Sequence, residues 1–310
     1  MKKTKSSYRS GVRKFKKFLQ IYAPDLTFPL LEDDWMMYVA FLECDEKLKP
    51  GTIGQYLLHM NKLFACLNMP APKFKEMPRL RVLRARVKGL KIAKGKKKHP
   101  VHFKLVQQIV DIVDHSRDDT HVFLSILIVG VCALCRLGEL LLTEKNDVIE
   151  ERLLRVGHVA FFPSTDTAEY MTLFLPYSKT DKWGLGINLV LPANPNAKYC
   201  PVKYMIKLVQ GRAPTEPLFV WPTGSLVTKG AFIRALRHSL KLLGIDYKQF
   251  SGHSLRRGGA ISAKAAGASD ALIKILGRWN SDAYKVYLQC LPEHIQHLNS
   301  LLAALKLVQL

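Results

Sequence analysis

Between residues 7 and 92 the apolar positions return with the spacing of an α-helix face. Over 7–21, Tyr8, Val12, Phe15 and Leu19 share one side, and Arg9, Arg13, Lys16 and Lys17 lie off it. A second helix is expected after Asp33 and Asp34, acids suited to a helix N-terminus, burying Trp35, Tyr38 and Leu42. Pro50, favoured in a first turn, opens a third that carries Tyr56, Met60, Leu63 and Leu67. A fourth over 79–92 sets an apolar stripe of Leu80, Leu83, Val87 and Leu90 against a basic one of Arg81, Arg84, Lys88 and Lys91. That pattern suits a helix packed on one side and facing phosphates on the other.

The pattern then breaks. Lys94-Gly-Lys-Lys-Lys-His-Pro100 combines a flexible glycine, like charges and a helix-stopping proline, as a linker over 94–101 would. It divides a helical domain over 1–93 from a larger one over 102–310. In the second, 102–115 and 119–142 are expected to be helical. Residues 153–162, 170–177 and 187–192 read as strands of a small antiparallel sheet. From 201 the helical period resumes, interrupted at Gly211–Pro217, Gly244, Gly267 and Pro292, and a last helix is expected over 292–308. The fold class is therefore mainly α, an all-helical domain followed by a mainly helical domain with one small sheet.

Charge adds a partner to this picture. Of a net +22, residues 1–20 and 73–104 together hold +20: eight Lys/Arg without an acid, then thirteen against Glu76 alone. Excess charge gathered in two segments marks a polyanion footprint rather than a uniformly solubilised surface. No stretch approaches the ~20 apolar residues of a spanning helix, so a membrane partner is not expected. The cysteines are expected as reduced thiols. Cys132 and Cys135 form a CxxC, but no second Cys or His pair stands at ligand spacing, so two core thiols on one helix are expected and no metal.

Candidate chemistry lies in four short segments. Cys135-Arg-Leu-Gly-Glu-Leu140 sets Arg136 against an apolar run, where its charge needs a carboxylate or phosphate partner. Tyr177-Ser-Lys-Thr-Asp-Lys-Trp-Gly184 reads as a hairpin turn bearing Lys179 and Lys182. Gly252-His-Ser-Leu-Arg-Arg-Gly-Gly259 puts His253 and Arg256 on one helical face, within reach of one anion. Gly277-Arg-Trp-Asn-Ser-Asp-Ala-Tyr-Lys-Val-Tyr287 places Trp279, Tyr284 and Tyr287 close together. Taken singly, each has a structural explanation: an Arg136–Glu139 pair, a core histidine, an exposed turn lysine, core aromatics.

In order, however, Arg136, Lys179, the His253/Arg256 pair, Trp279 and Tyr287 resemble the tyrosine recombinase/integrase family. HSLRRGGA followed by GRWNSDAYKVYL is more narrowly similar to recombinases of eukaryotic mobile elements of the DIRS, Ngaro and Crypton kinds. The resemblance covers about 105–290, and the first domain would be the family's DNA-clamping, core-binding domain. It implies that Arg136 and Arg256 hold the scissile phosphate, that Glu139 orients Arg136, and that His253 transfers protons and contacts phosphate. Lys179, with Lys182 as fallback, would protonate the leaving 5′ oxygen, and the Trp279 indole would donate to a phosphate oxygen. Tyr287 would attack phosphorus, with Tyr284 as the alternative nucleophile. Neither metal nor ATP is implied, because the phosphotyrosine retains the phosphodiester energy. The implied partners are double-stranded DNA and a homotetramer assembled on it through the 292–308 helix, with no small-molecule substrate, in the nucleus. Arg9, Arg13, Lys16, Lys17, Arg81, Arg84, Lys88, Lys91, Lys96, Lys97 and Lys98 are the expected DNA-backbone contacts. A domesticated, non-catalytic DNA-binding module and a type IB topoisomerase remain as alternatives.

Overall fold

The computed structural model describes residues 2–22, 24, 28–90, 98–143, 150–178, 181, 183–194, 197 and 199–286, in two compact units, Met1–Gly95 and Lys96–Leu310. The first unit comprises α1 (Lys2–Tyr22), α2 (Glu32–Cys44), α3 (Pro50–Cys66) and α4 (Pro78–Leu90). Helix α1 packs on α3, and α2 on α4. The core is largely aromatic. Phe15 stacks on Trp35 at 5.6 Å and meets Tyr38 edge-on at 5.1 Å, while Phe18 lies against Tyr38 and Phe41. Phe18 is thus a principal anchor of α1, with Val12 and Leu19 only partly covered. On α3 the buried positions are Ile53, Tyr56, Leu57, Met60 and Phe64; Leu67 lies past the helix end and is exposed. Polar ends are tied as their chemistry requires: Asp34 accepts the Leu31 N–H at 2.7 Å, and Glu32 accepts the Leu80 N–H at the start of α4 at 2.9 Å.

The second unit is built around α6 (Asp118–Cys132), which is buried on every side from Val122 to Val131. Around it pack α5 (Phe103–Ile112), α8 (Pro201–Val209) and α10 (His253–Ala265), and α5 in turn meets α9 (Lys229–Leu242). A short α7 (Leu137–Leu140) follows α6, and α11 (Asp270–Leu276) follows α10. Several termini carry sequence-readable signals: Pro201 opens α8, the Thr228 and Ser269 hydroxyls cap α9 and α11, and Gly211, Gly244 and Gly267 take left-handed φ just beyond α8, α9 and α10. The sheet is antiparallel in the order β1-β2-β3, from β1 (Val159–Phe162), β2 (Tyr170–Leu175) and β3 (Ile187–Pro192), with Val159 opposite Leu173 and Leu173 opposite Leu189. Met171, Leu173, Leu175, Leu189 and Leu191 point into the core, as period-two alternation requires.

Three expectations need correction. The helix over 119–142 is two helices, because Leu134 turns the chain at φ +50° after α6. The continuous apolar run hid this turn: both sides of the break face the same core. Cys135 accordingly lies beyond α6 rather than on one helix with Cys132. Residues 153–158 are not strand but include a short 3-10 turn over Val156–His158 that leads into β1. Lys98–Pro100, at the end of the expected linker, is tied into the second unit: the His99 N–H donates to the Gln249 carbonyl at 2.8 Å, and Pro100 is buried. Residues 94–97 of the basic linker and the 292–308 segment lie outside the described residues.

Candidate active site

The left-handed turn at Leu134 brings the chain into a tight loop whose carbonyls face inward. Arg136 follows as the N-cap of α7, in extended conformation. Its backbone N–H donates to Glu139 Oε2 at 2.9 Å, and its guanidinium Nη1 donates to Glu139 Oε1 at 2.8 Å. Glu139 therefore does two things: it caps the helix from the third position, and it aims the arginine one turn before it.

Two further arginines converge on this loop. Arg256, on α10, donates from Nη1 to the Leu134 carbonyl at 2.7 Å and from Nη2 to the Gly277 carbonyl, and its guanidinium lies 4.1 Å from the centre of the Trp279 ring. Arg278, just after α11, adopts φ +56° and donates to the Ala133 carbonyl at 3.1 Å and to Glu139 Oε2 at 2.8 Å. Carbonyls at the end of α6 thus receive cations, which suits the negative end of the helix dipole. Gly277 is required here, since a Cβ at that position would overlap the Trp279 ring.

Arg136 and Arg278 share the Glu139 carboxylate, and with Arg256 beside them the described side chains of this largely dry nest sum to +2. Side-chain exposure is 21% for Arg136, 10% for Arg278 and 2% for Glu139, and Arg256 is 2% exposed overall. Burial, and then the Arg136 charge beside it, push the Arg256 pKa down to about 10. Uncompensated positive charge under low dielectric is costly unless an anion joins it. Arg136, the most open of the three, presents that charge to solvent, and Arg256 and Arg278 hold the frame behind it.

His253 is the exposed first residue of α10. Gly252 before it packs so closely on Leu137, with a Cβ position 3.1 Å from that side chain, that the start of α10 meets the start of α7 next to Arg136. The Trp279 ring is 5.8 Å from that of Tyr284, which is 4% exposed in a cluster with Leu134, Ala260 and Ile273.

No family model matches the chain. An integrase/recombinase xerD homolog from Selenomonas ruminantium is 30% identical over 117 residues, 34% of this chain and 33% of that protein, so the match spans about a third of the relative's length. The XerH site-specific recombinase bound to a palindromic difH substrate superposes with a TM-score of 0.61 at 14% identity, over 95% of this chain and 78% of that one. A lambda integrase (75–356) dimer bound to a COC′ core site gives 0.55 at 16%, over 93% and 89%. The fold is that of the tyrosine recombinases.

On this tyrosine-recombinase fold the structure brings together Arg136, Glu139, Arg256 and Trp279, with His253 at the rim. Arg256 is not the equal of Arg136: its fork is anchored on two backbone carbonyls and stacked on Trp279. Lys179, Lys182 and Tyr287 lie outside the described residues. Arg278 is the residue that sequence reasoning missed; the one signal was an arginine between Gly277 and Trp279. The Arg257 guanidinium donates to the Lys98 carbonyl at 2.6 Å. Burial pushes the Cys132 and Cys135 thiols up to about 12 and about 11, so both are protonated near neutrality.

Of the expected DNA contacts, Arg81, Arg84 and Lys88 line a cleft of about 480 Å³ against Pro50, Gly51 and Gly54 of α3. Arg9, Arg13 and Lys16 line another of about 360 Å³ with Tyr8 and Val12. Lys17 is exposed but pairs with Glu46 at 2.8 Å. The Lys98 ammonium donates to the Lys248 carbonyl at 2.7 Å. Lys91, Lys96 and Lys97 lie outside the described residues.

Proposed function

We propose that the chain cleaves and rejoins DNA strands through a 3′-phosphotyrosine intermediate. The observation that carries this reading is the gathering of Arg136, Arg256 and Arg278 at Glu139, the one carboxylate among the described residues of the nest. Its surplus charge suits a phosphodiester, and more so a transition state in which charge builds on the phosphate oxygens. Arg136 supplies the fork that reaches those oxygens, and Arg256 contributes its field from behind. His253 contacts the phosphate and moves a proton. The Tyr287 phenol gives its proton to His253 as its oxygen bonds to phosphorus and the bond to the 5′ oxygen breaks, and Lys179 gives that oxygen its proton. Rejoining runs the same steps backwards, with the phosphodiester energy held in the tyrosyl ester.

Tyr287 is favoured over Tyr284 because the latter is packed in an apolar cluster beneath Trp279. The motifs HSLRRGGA and GRWNSDAYKVYL support a home in a eukaryotic mobile element of the DIRS, Ngaro or Crypton kind, with action in the nucleus as a tetramer on DNA. The test is a pool of nicked duplexes of randomised sequence, in which cleavage strands the enzyme on its DNA. A covalent complex resistant to detergent is expected from the wild type and from Tyr284→Phe, and none from Tyr287→Phe. Retention of the adduct in Tyr287→Phe would overturn the assignment.

A further inference from the structure

The turn between β2 and β3 is held by one side chain. The Asp181 carboxylate accepts the backbone N–H groups of Trp183 at 3.2 Å, Gly184 at 2.9 Å, Leu185 at 3.3 Å and Gly186 at 2.9 Å. These bonds, that from Gly186 foremost, hold its pKa below the usual carboxylate range. Gly184 and Gly186 take φ of +70° and +68°, and a Cβ on Gly186 would overlap the Phe174 ring. Such a path favours glycine at 184 and 186 and leaves residues 183–186 little freedom.

Residues 183–186, held in this way, present Trp183 at 86% exposure and Leu185 at 78%, the two most open large apolar side chains among the described residues. By contrast, Trp35 and Trp279 are buried and Trp221 is partly covered. The Asp181 bonds reach only backbone N–H groups, so they would form equally well with a serine at 183. Local structure therefore gives no reason for an indole there. A rigid mount for an exposed aromatic is what a contact surface needs, because little side-chain and loop ordering remains to be done on binding.

We propose that Trp183, with Leu185 beside it, is a wedge that stacks on a base step of duplex DNA. The proposal rests on the reading of this chain as a DNA-cleaving enzyme and adds a contact on the hairpin assigned to Lys179. Charge favours nucleic acid over a protein surface. Between Tyr177 and Ile187 the sequence has Lys179 and Lys182 against Asp181 alone, and the Asp181 charge is spread over four backbone N–H groups. A base step would meet a flat apolar ring on a segment whose sequence carries a net positive charge.

Intrinsic fluorescence tests this on the full chain, since Trp183 is its most exposed indole. A short random-sequence duplex is titrated in while quenching by acrylamide is followed. Protection of the emission is expected as DNA binds. Trp183→Ala should bind about tenfold more weakly and Trp183→Phe nearly as well as wild type. A duplex with one unpaired base, already partly unstacked, should recover part of the loss in Trp183→Ala. Binding of equal strength by wild type and Trp183→Ala, with emission still open to acrylamide, overturns the wedge while leaving DNA binding intact. Protection that appears without DNA as protein concentration rises would instead make Trp183 a contact between copies. Absence of any DNA binding would remove both the wedge and the functional reading beneath it.

Discussion

Glu139 is where the site depends on a single side chain. Its two oxygens are divided between Arg136 and Arg278, so losing either partner frees the carboxylate to lean toward the other. If Arg278 acts by steadying Glu139, Arg278→Met and Glu139→Gln should each slow DNA cleavage by roughly 10- to 100-fold, the scale of one charge-assisted hydrogen bond. The double variant should be no slower than the worse single one, with DNA affinity little changed and partial rescue by Arg278→Lys. Additive losses in single-turnover cleavage would mean that the two residues act separately. A second prediction concerns Gly277, where a Cβ would overlap the Trp279 ring that supports Arg256. Gly277→Ala should cost about 1–3 kcal/mol in thermal or denaturant unfolding, as overpacking does, and lower cleavage with it. Much of this site was legible in the sequence. Arg136, Glu139, Arg256 and Trp279 sit in motifs whose order carries the resemblance. Arg278 was not, because a residue in left-handed φ belongs to no periodic face and its partners are 139 and 145 positions away in the chain.

At the scale of elements, α10 shows why the HSLRRGGA segment carries two glycines in a helix interior, where each is locally unfavourable. A Cβ on Gly258 would overlap the Val101 carbonyl, and one on Gly259 the Val131 carbonyl near the end of α6. The helix is thus pressed between the chain entering the second unit and the helix whose last carbonyls Arg256 and Arg278 hold. Gly258→Ala has backbone, not a flexible side chain, to displace. It should destabilise the second unit by about 3 kcal/mol, read as a fall in melting temperature, and misplace Arg256. A melting temperature equal to wild type would show that α10 can shift without cost. Amphipathic elements such as α1 to α4, and the alternating β2 and β3, were readable because one face meets water. The break after α6 was not, since its apolar positions on both sides face the core: Val131, Leu134, Leu137 and Leu140 are all buried. The positive φ of Leu134 and the extended backbone of Arg136 distinguish two helices from one.

For the whole molecule, the net charge of +22 says that a polyanion is attracted without saying where, and the structure sorts the candidate cations by what they already do. Arg81, Arg84 and Lys88 line an open cleft of the first unit, and Arg13 lines another. Lys98, from the same basic run in sequence, spends its ammonium on the Lys248 carbonyl, and its own carbonyl takes the Arg257 guanidinium. A cation that neutralises a phosphate releases about 0.9 of a condensed counterion from duplex DNA, and one already committed to protein releases less. Arg84→Gln should therefore lower the slope of log affinity against log salt by about one, to the same extent on unrelated duplex sequences. Lys98→Gln should leave that slope nearly unchanged and show its effect instead as a small loss of stability in the second unit. Filter binding or anisotropy across a salt series separates the two variants. Equal slopes for Arg84→Gln and the wild type would move the footprint of the first unit away from the α3–α4 cleft. A lowered slope for Lys98→Gln would show that its bond to Lys248 opens when DNA arrives.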